Sequence, residues 1–142
     1  EFCAAIRKRL MDGENLLVDR YTDSTTAYQG GGRQLSVNMI EQLNAIATQG
    51  LKPDKTFFLD IPVKVMAERM KKNNPEENSY FEQQDRAFYQ RVREGYLIIS
   101  EKEPARFIRI NGNQEPEKVF EEIRPHLDKL FNLETKIEET VQ

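Results

Sequence analysis

A chain of 142 residues, 38% hydrophobic and 32% charged, suits one soluble domain and leaves little room for two. Its 24 acidic and 21 basic residues give a net charge of −3, too weak a field to expect nucleic acid or an anionic membrane as partner. One histidine and one cysteine leave almost no scope for a structural zinc site or a Cys–His nucleophile pair. The lone Cys3 cannot close an internal disulfide, which fits a reducing cytoplasm. No run approaches the roughly 18 apolar residues of a membrane span, and no secretory signal is visible at the start.

Phe2, Ile6 and Leu10 recur every four residues, on one face of a helix that Gly13 can stop. Asn15-Leu16-Leu17-Val18-Asp19 is short, apolar on both faces and closed by a carboxylate, the pattern of a buried parallel strand. From Asp19 to Arg33 the chain is polar, glycine-bearing and aperiodic, so a loop or a broken helix start is expected. Ser36 can cap a helix with Val37, Ile40, Leu43 and Ala47 on one face, ending at Gly50.

Lys55-Thr56-Phe57-Phe58-Leu59-Asp60 repeats the strand pattern, and Pro62 opens a helix that runs to about Lys72. Asn73 to Asn78 is a breaker and reads as an exposed excursion. A longer helix carries Phe81, Phe88, Val92, Tyr96 and Ile99; Arg106 to Ile110 is a third strand, and Asn111 to Glu115 a turn. Pro116 opens a last helix with Val119, Ile123, Leu127 and Leu130 as its core stripe and Pro125 as an interruption. Residues 1–131 form the domain, and 132–142 a polar tail. Alternating strands and helices imply parallel βαβ units, with ligands gathered beyond the carboxyl ends of the strands. Asp19, Asp60 and the Asn111 turn lie at those ends.

The segment Asp19-Arg20-Tyr21-Thr22-Asp23-Ser24-Thr25-Thr26-Ala27-Tyr28-Gln29-Gly30-Gly31-Gly32-Arg33 is the richest in chemistry. Asp19 offers a carboxylate for a metal or a water, and Arg20 a fork that grips a phosphate through two parallel hydrogen bonds. Ser24, Thr25 and Gln29 supply donors and acceptors suited to a base edge, and Tyr28 a flat face. A turn tied down by an Asp–Arg pair, with glycines serving backbone geometry, explains the same spacing equally well.

This string resembles the most characteristic loop of the thymidylate (dTMP) kinases, D-R-Y/H-x-x-S-x-x-A-Y-Q-G-x-G/A-R. Gly50 to Thr56 resembles the family's G-L-x-P-D-x-T, and Arg91-Val92-Arg93-Glu94-Gly95-Tyr96 its R-V-R-x-G-Y. Phe58-Leu59-Asp60 and the stretch Asn111 to Val119 are similar to later landmarks of the same family, in the same order. The resemblance implies a P-loop NTPase-like three-layer α/β/α fold with a parallel sheet. It also implies transfer of the ATP γ-phosphate to dTMP, giving dTDP for dTTP synthesis, with magnesium, in a cytoplasmic homodimer.

By the same resemblance Arg20 binds the acceptor phosphate, Asp19 organises magnesium directly or indirectly, Thr25 and Gln29 address thymine, and Tyr28 sits against the sugar. Ser24 contacts the base or fixes the loop. Arg69, Lys71 and Lys72 lead into a lid at about residues 70–80 that closes over the ATP phosphates; cations near helix-end carbonyls explain them too. The chain departs from the family at Ser79-Tyr80, where many bacterial members carry Asp-Arg. Arg69 is therefore the candidate catalytic arginine of the lid, with Arg86 second. Asn113 and Gln114 lie by analogy against adenine, although a tight turn needs them equally. The Phe2–Leu10 and Val37–Ala47 helices are candidate dimer faces.

No G-x-x-x-x-G-K-[ST] occurs in the 142 residues, and Gly30-Gly31-Gly32 cannot replace it, because no lysine or hydroxyl follows at the right spacing. The resemblance implies that the P-loop and the central strand of the sheet precede Glu1, leaving this chain incomplete at its N-terminus, inactive by itself, and with exposed edges and apolar surface. Two other readings stand beside a dTMP kinase. One is a catalytically incomplete domain that binds a nucleotide or a partner; the other is a P-loop kinase acting on a different monophosphate.

Overall fold

The computed structural model describes residues 2–73 and 83–133. Its centre is a pair of parallel strands, β1 (Thr56–Asp60) and β2 (Phe107–Asn111), in register from Thr56 opposite Phe107 to Asp60 opposite Asn111. Both strands carry the aromatic and β-branched residues that fill a pleated, covered surface. The helices are α1 (Phe2–Met11), α2 (Thr22–Thr25), a π-helix (Thr26–Gly32), α3 (Val37–Thr48), α4 (Val63–Asn73), α5 (Gln83–Lys102) and α6 (Pro116–Phe131).

On one face of the sheet, Phe58 stacks on Tyr96 of α5 at 4.7 Å between ring centroids, and Phe107 lies 6.0 Å from Phe58. Ala27, Val92, Ile99 and Phe107 are buried together there, with Tyr28, Phe88 and Tyr96 packed against them. Phe88, Val92, Tyr96 and Ile99, which the sequence places on the longer helix, all belong to this core; Phe81 lies outside the described residues. Burying a side chain such as Phe107 contributes about 1.5–3 kcal/mol. The opposite face receives α6, where the ring of His126 sits 6.1 Å from that of Phe57. The expected α/β/α layering with a parallel sheet is what forms.

Several local expectations are corrected. Residues 15–19 form no strand: no ladder bond reaches them, Leu17 is 100% exposed and Val18 37%. An apolar run becomes a parallel strand only where neighbours pair with its edges and cover its faces, and among the described residues this run has neither. Residues 22–32 are helical rather than a loop, for reasons of packing given below. The last helix passes through Pro125 without ending, losing the bond that residue's missing N–H would have made to Glu121. Of the α3 stripe only Ile40 is buried; Asn44 and Thr48 turn inward beside it, while Leu43 and Ala47 face outward. The Ser36 cap forms as expected, its hydroxyl accepting from the Met39 N–H at 3.4 Å.

Candidate functional site

Helical structure at 22–32 depends on how closely it approaches α5. The chain turns through α2 and widens into a π-turn, in which the Arg33 N–H donates to the carbonyl of Tyr28, five residues back, at 3.0 Å. A Cβ at Gly31 would stand 2.7 Å from the Arg91 carbonyl oxygen, and one at Gly32 2.6 Å from the Phe88 ring. Nothing larger than hydrogen fits between the two backbones. Arg91 then donates from Nε to the Gly32 carbonyl at 3.1 Å, which ties the end of the π-helix to α5. The glycines thus serve close packing against α5 and not a special backbone geometry, since none of Gly30, Gly31 and Gly32 takes a positive φ.

That rigid helix carries most of the predicted substrate residues. Arg20 precedes it in a left-handed conformation, φ 63°, and lays its guanidinium over the Tyr28 ring, 4.5 Å from the centroid. Tyr28 in turn meets the edge of Phe88 at 6.1 Å. Ser24 accepts a hydrogen bond from the Tyr96 hydroxyl at 2.9 Å, which fixes it to α5; burial of that phenol holds its pKa above the ordinary value. Thr25 is exposed and Gln29 half-buried, and among the described residues neither side chain has a hydrogen-bond partner. Asp19 is exposed and makes no ion pair among the described residues. Among the described residues no three His, Cys, Asp or Glu side chains converge as a metal-binding group. A single exposed carboxylate fits magnesium through the ion's water shell, not an all-protein cage.

A second set of groups lies at the carboxyl ends of the strands. Asp60, 5% exposed, is held by Arg93 at 2.6 and 2.9 Å and by Arg109 at 2.8 Å. Burial pushes its pKa up, and the two guanidiniums outweigh that and hold it below the usual carboxylate range. The backbone oxygen of Asp60 accepts from the Gly112 N–H at 2.9 Å, and Arg69 donates to the Gly112 carbonyl at 3.2 Å. Three guanidiniums against Asp60 and the Glu122 carboxylate, which accepts from the Asn111 N–H at 3.1 Å, leave this corner with a small excess of positive charge, a suitable setting for phosphate oxygens.

Arg69 is thus brought to the Asn111 turn, but no contact joins it to Arg20 or Tyr28 among the described residues. Lys71 and Lys72 are exposed on the last turn of α4, while residues 74–80 of the expected lid lie outside the described residues. The Asn113 N–H donates to the Asn111 side chain at 3.0 Å, and the Gln114 amide to Glu122 at 2.6 Å, so the turn is braced against α6.

Sequence reasoning placed Asp60 at a ligand-bearing strand end but gave no partner to it, and no role to Arg109, Asp23 or Arg106. Arg106 donates to both carboxylate oxygens of Asp23 at 2.8 Å, and Thr56 donates to the same group at 3.0 Å. The available signal was Arg109 inside an otherwise apolar strand, since a cation there needs a partner. Arg93 is a partner of the Asp60 carboxylate, whereas Arg91 bonds a carbonyl.

A parallel sheet between helical layers, with cationic and aromatic groups at and beyond its strand ends, defines the class: an α/β domain of the P-loop NTPase type. The family model for thymidylate kinase matches residues 1–123, and the chain belongs to that family. It is 41% identical over 119 residues to a thymidylate kinase of Limosilactobacillus fermentum, covering 84% of this chain and 56% of that protein. It is 42% identical over 126 residues to one of Trichormus variabilis, covering 86% and 59%. A third, from Desulfovibrio desulfuricans, is 41% identical over 128 residues, covering 87% and 59%. The chain therefore spans little more than half the length of these relatives.

Proposed function

We propose that this chain is the acceptor-nucleotide part of a dTMP kinase, which moves the γ-phosphate of ATP to dTMP and releases dTDP. The observation that carries this reading is the Arg20 guanidinium over Tyr28, on a helix fixed to α5, with the polar ends of Thr25 and Gln29, nearby in sequence, unpartnered among the described residues. Arg20 grips the acceptor phosphate through its fork, Tyr28 packs against the sugar, and Thr25 and Gln29 read the thymine edge, with Ser24 holding the helix in place. Phosphoryl transfer needs positioning and charge neutralisation more than covalent chemistry from the protein. Arg69 supplies part of that charge as the lid arginine, with Lys71 and Lys72 on the ATP side and Asn113 and Gln114 toward adenine. Magnesium, when bound, offsets the charge of the phosphates, and Asp19 orients its water shell.

Residues 1–131 make the kinase domain, with the lid at about 70–80, and 132–142 a polar tail. Met39, Leu43 and Ile46 form an exposed stripe at helical spacing on α3, which supports a homodimer packed through that helix. A cytoplasmic setting agrees with the lone Cys3. No described helix is long and apolar enough to cross a membrane.

The absence of G-x-x-x-x-G-K-[ST] from the 142 residues favours a narrower reading of the segment taken by itself. It binds an acceptor nucleotide without turning it over. Coupled ADP release with ATP and dTMP, measured on the intact protein and on this segment, separates the two. Turnover by the intact protein, with dUMP, CMP and AMP poor competitors, is expected. Full activity of an Arg20→Ala variant removes the role assigned to that residue.

A further inference from the structure

We propose that the outer edge of β2 accepts an acidic, extended peptide of a partner protein as an added strand. The sheet among the described residues is two-stranded, and β1 takes only one edge of β2. Two bonds bracket the ladder: the Thr56 N–H donates to the Arg106 carbonyl, and the Gly112 N–H to that of Asp60. Even-numbered residues of β2 therefore face β1, and Phe107, Arg109 and Asn111 direct their backbone groups outward. The two outer N–H groups at the ends are already used. That of Phe107 donates to the Glu103 carbonyl at 2.8 Å, and that of Asn111 to the Glu122 carboxylate at 3.1 Å. The Arg109 N–H has no such partner among the described residues, and its carbonyl faces outward beside it. One strand residue is left open for pairing, between two closed ends.

A groove of about 450 Å³ follows this edge. Three consecutive strand residues, Phe107, Ile108 and Arg109, line it, with Lys55, His126 and Lys129 around them. Among the described residues no carboxylate lines it. Arg109 is already paired with Asp60 and Lys55 donates to the Ala105 carbonyl, whereas Lys129 makes no ion pair among the described residues. An extended segment pairs with the Arg109 backbone, turns alternate carboxylates to the face that carries Ile108, where His126 and Lys129 of α6 stand, and turns its apolar side chains to the opposite face, that of Phe107. A second copy of the chain is the wrong occupant, because two such edges bring like charges together.

The test uses the full chain and a fluorescein-labelled peptide of alternating valine and glutamate, seven residues long. Saturable binding that weakens with salt is expected, with a Lys129→Glu variant losing about tenfold in affinity, Lys129→Arg retaining it and Lys118→Glu unaffected. The Arg109 amide should exchange more slowly with solvent once the peptide is bound. No binding, equal binding of the valine–lysine peptide or of one with a central proline, or unchanged Arg109 exchange overturns the proposal. Binding seen only in the Glu134→Gln, Glu138→Gln, Glu139→Gln triple variant assigns the groove to the chain's own tail, and overturns it as well.

Discussion

Arg106 holds Asp23 with two parallel bonds of 2.8 Å, joining the turn before β2 to α2, which runs into the π-helix that carries Tyr28; the two partners are 83 residues apart in sequence. The side chains are only 14% and 12% exposed, and the Thr56 hydroxyl and Glu103 complete the network. Bonds to Asp23 first, with the attraction of its charge, hold the Arg106 pKa above the ordinary guanidinium value against the cost of burial. Replacing Asp23 with asparagine keeps the shape but leaves a largely buried cation with less compensation. The expected loss is about 2–3 kcal/mol, since bonds to charged groups carry more than neutral ones. Urea midpoints decide it. A change under about 0.5 kcal/mol would place the pair among surface ion pairs of little consequence.

Gly31 gives a test in which two effects predict opposite signs. Helix propensity alone makes Gly31→Ala stabilising by about 1 kcal/mol. The added methyl, however, meets the Arg91 carbonyl oxygen at 2.7 Å and the Gly95 Cα at 3.3 Å, both backbone atoms that cannot swing aside. Overpacking of this kind costs about 1–3 kcal/mol, so the variant should melt at a lower temperature. Stabilisation would mean that the two helices part easily at this point.

These two relationships mark what was legible in the sequence. β1, β2 and the α5 core could be read because their patterns describe the faces they bury: Phe107 and Val92 lie where the period places them. Residues 15–19 have an equally good strand pattern, but a pattern records what a segment can bury, not whether a neighbour is there to cover it. The helix at 22–32 was hidden for the opposite reason. Its glycines lower helix propensity locally, and what offsets them is contact with α5 some sixty residues later. The substrate residues Arg20, Tyr28, Thr25 and Gln29 were reached through motif likeness; the ion pairs of Asp60 and Asp23 require coordinates, since charge partners have no spacing rule across a fold.

Asp60 predicts a pH dependence with a definite sign. Burial raises its pKa, Arg93 and Arg109 lower it by more, and the net value in the folded chain lies below normal. The stabilisation is therefore complete above the unfolded carboxylate's pKa of about 3.9 and is lost as pH falls through the lower folded value. Glu103, depressed chiefly by its bond from Arg106, adds to the same slope. Urea midpoints should drop steadily below about pH 4. Asp60→Asn should be less stable at neutral pH, yet flatter on acidification. An identical slope in the variant would show that other carboxylates carry the acid transition.

Arg20 separates stability from function. A non-glycine residue at φ 63° costs about 1–2 kcal/mol, and strain of this kind persists at functional positions because the fold tolerates it for another reason. The exposed cation–π contact with Tyr28 returns only about 0.5–1 kcal/mol. Arg20→Gly should therefore leave the melting temperature unchanged or raise it, since relief of the strain offsets the lost contact and the added freedom of the unfolded chain. Its binding of dTMP should nevertheless collapse, because the phosphate fork is gone. In the intact protein, the dTMP-dependent rise in melting temperature should disappear in Arg20→Gly and shrink in Arg20→Lys, which keeps the charge but not the two-pronged geometry. A glycine variant that is destabilised yet still responds fully to dTMP would mean that the left-handed turn serves the fold alone.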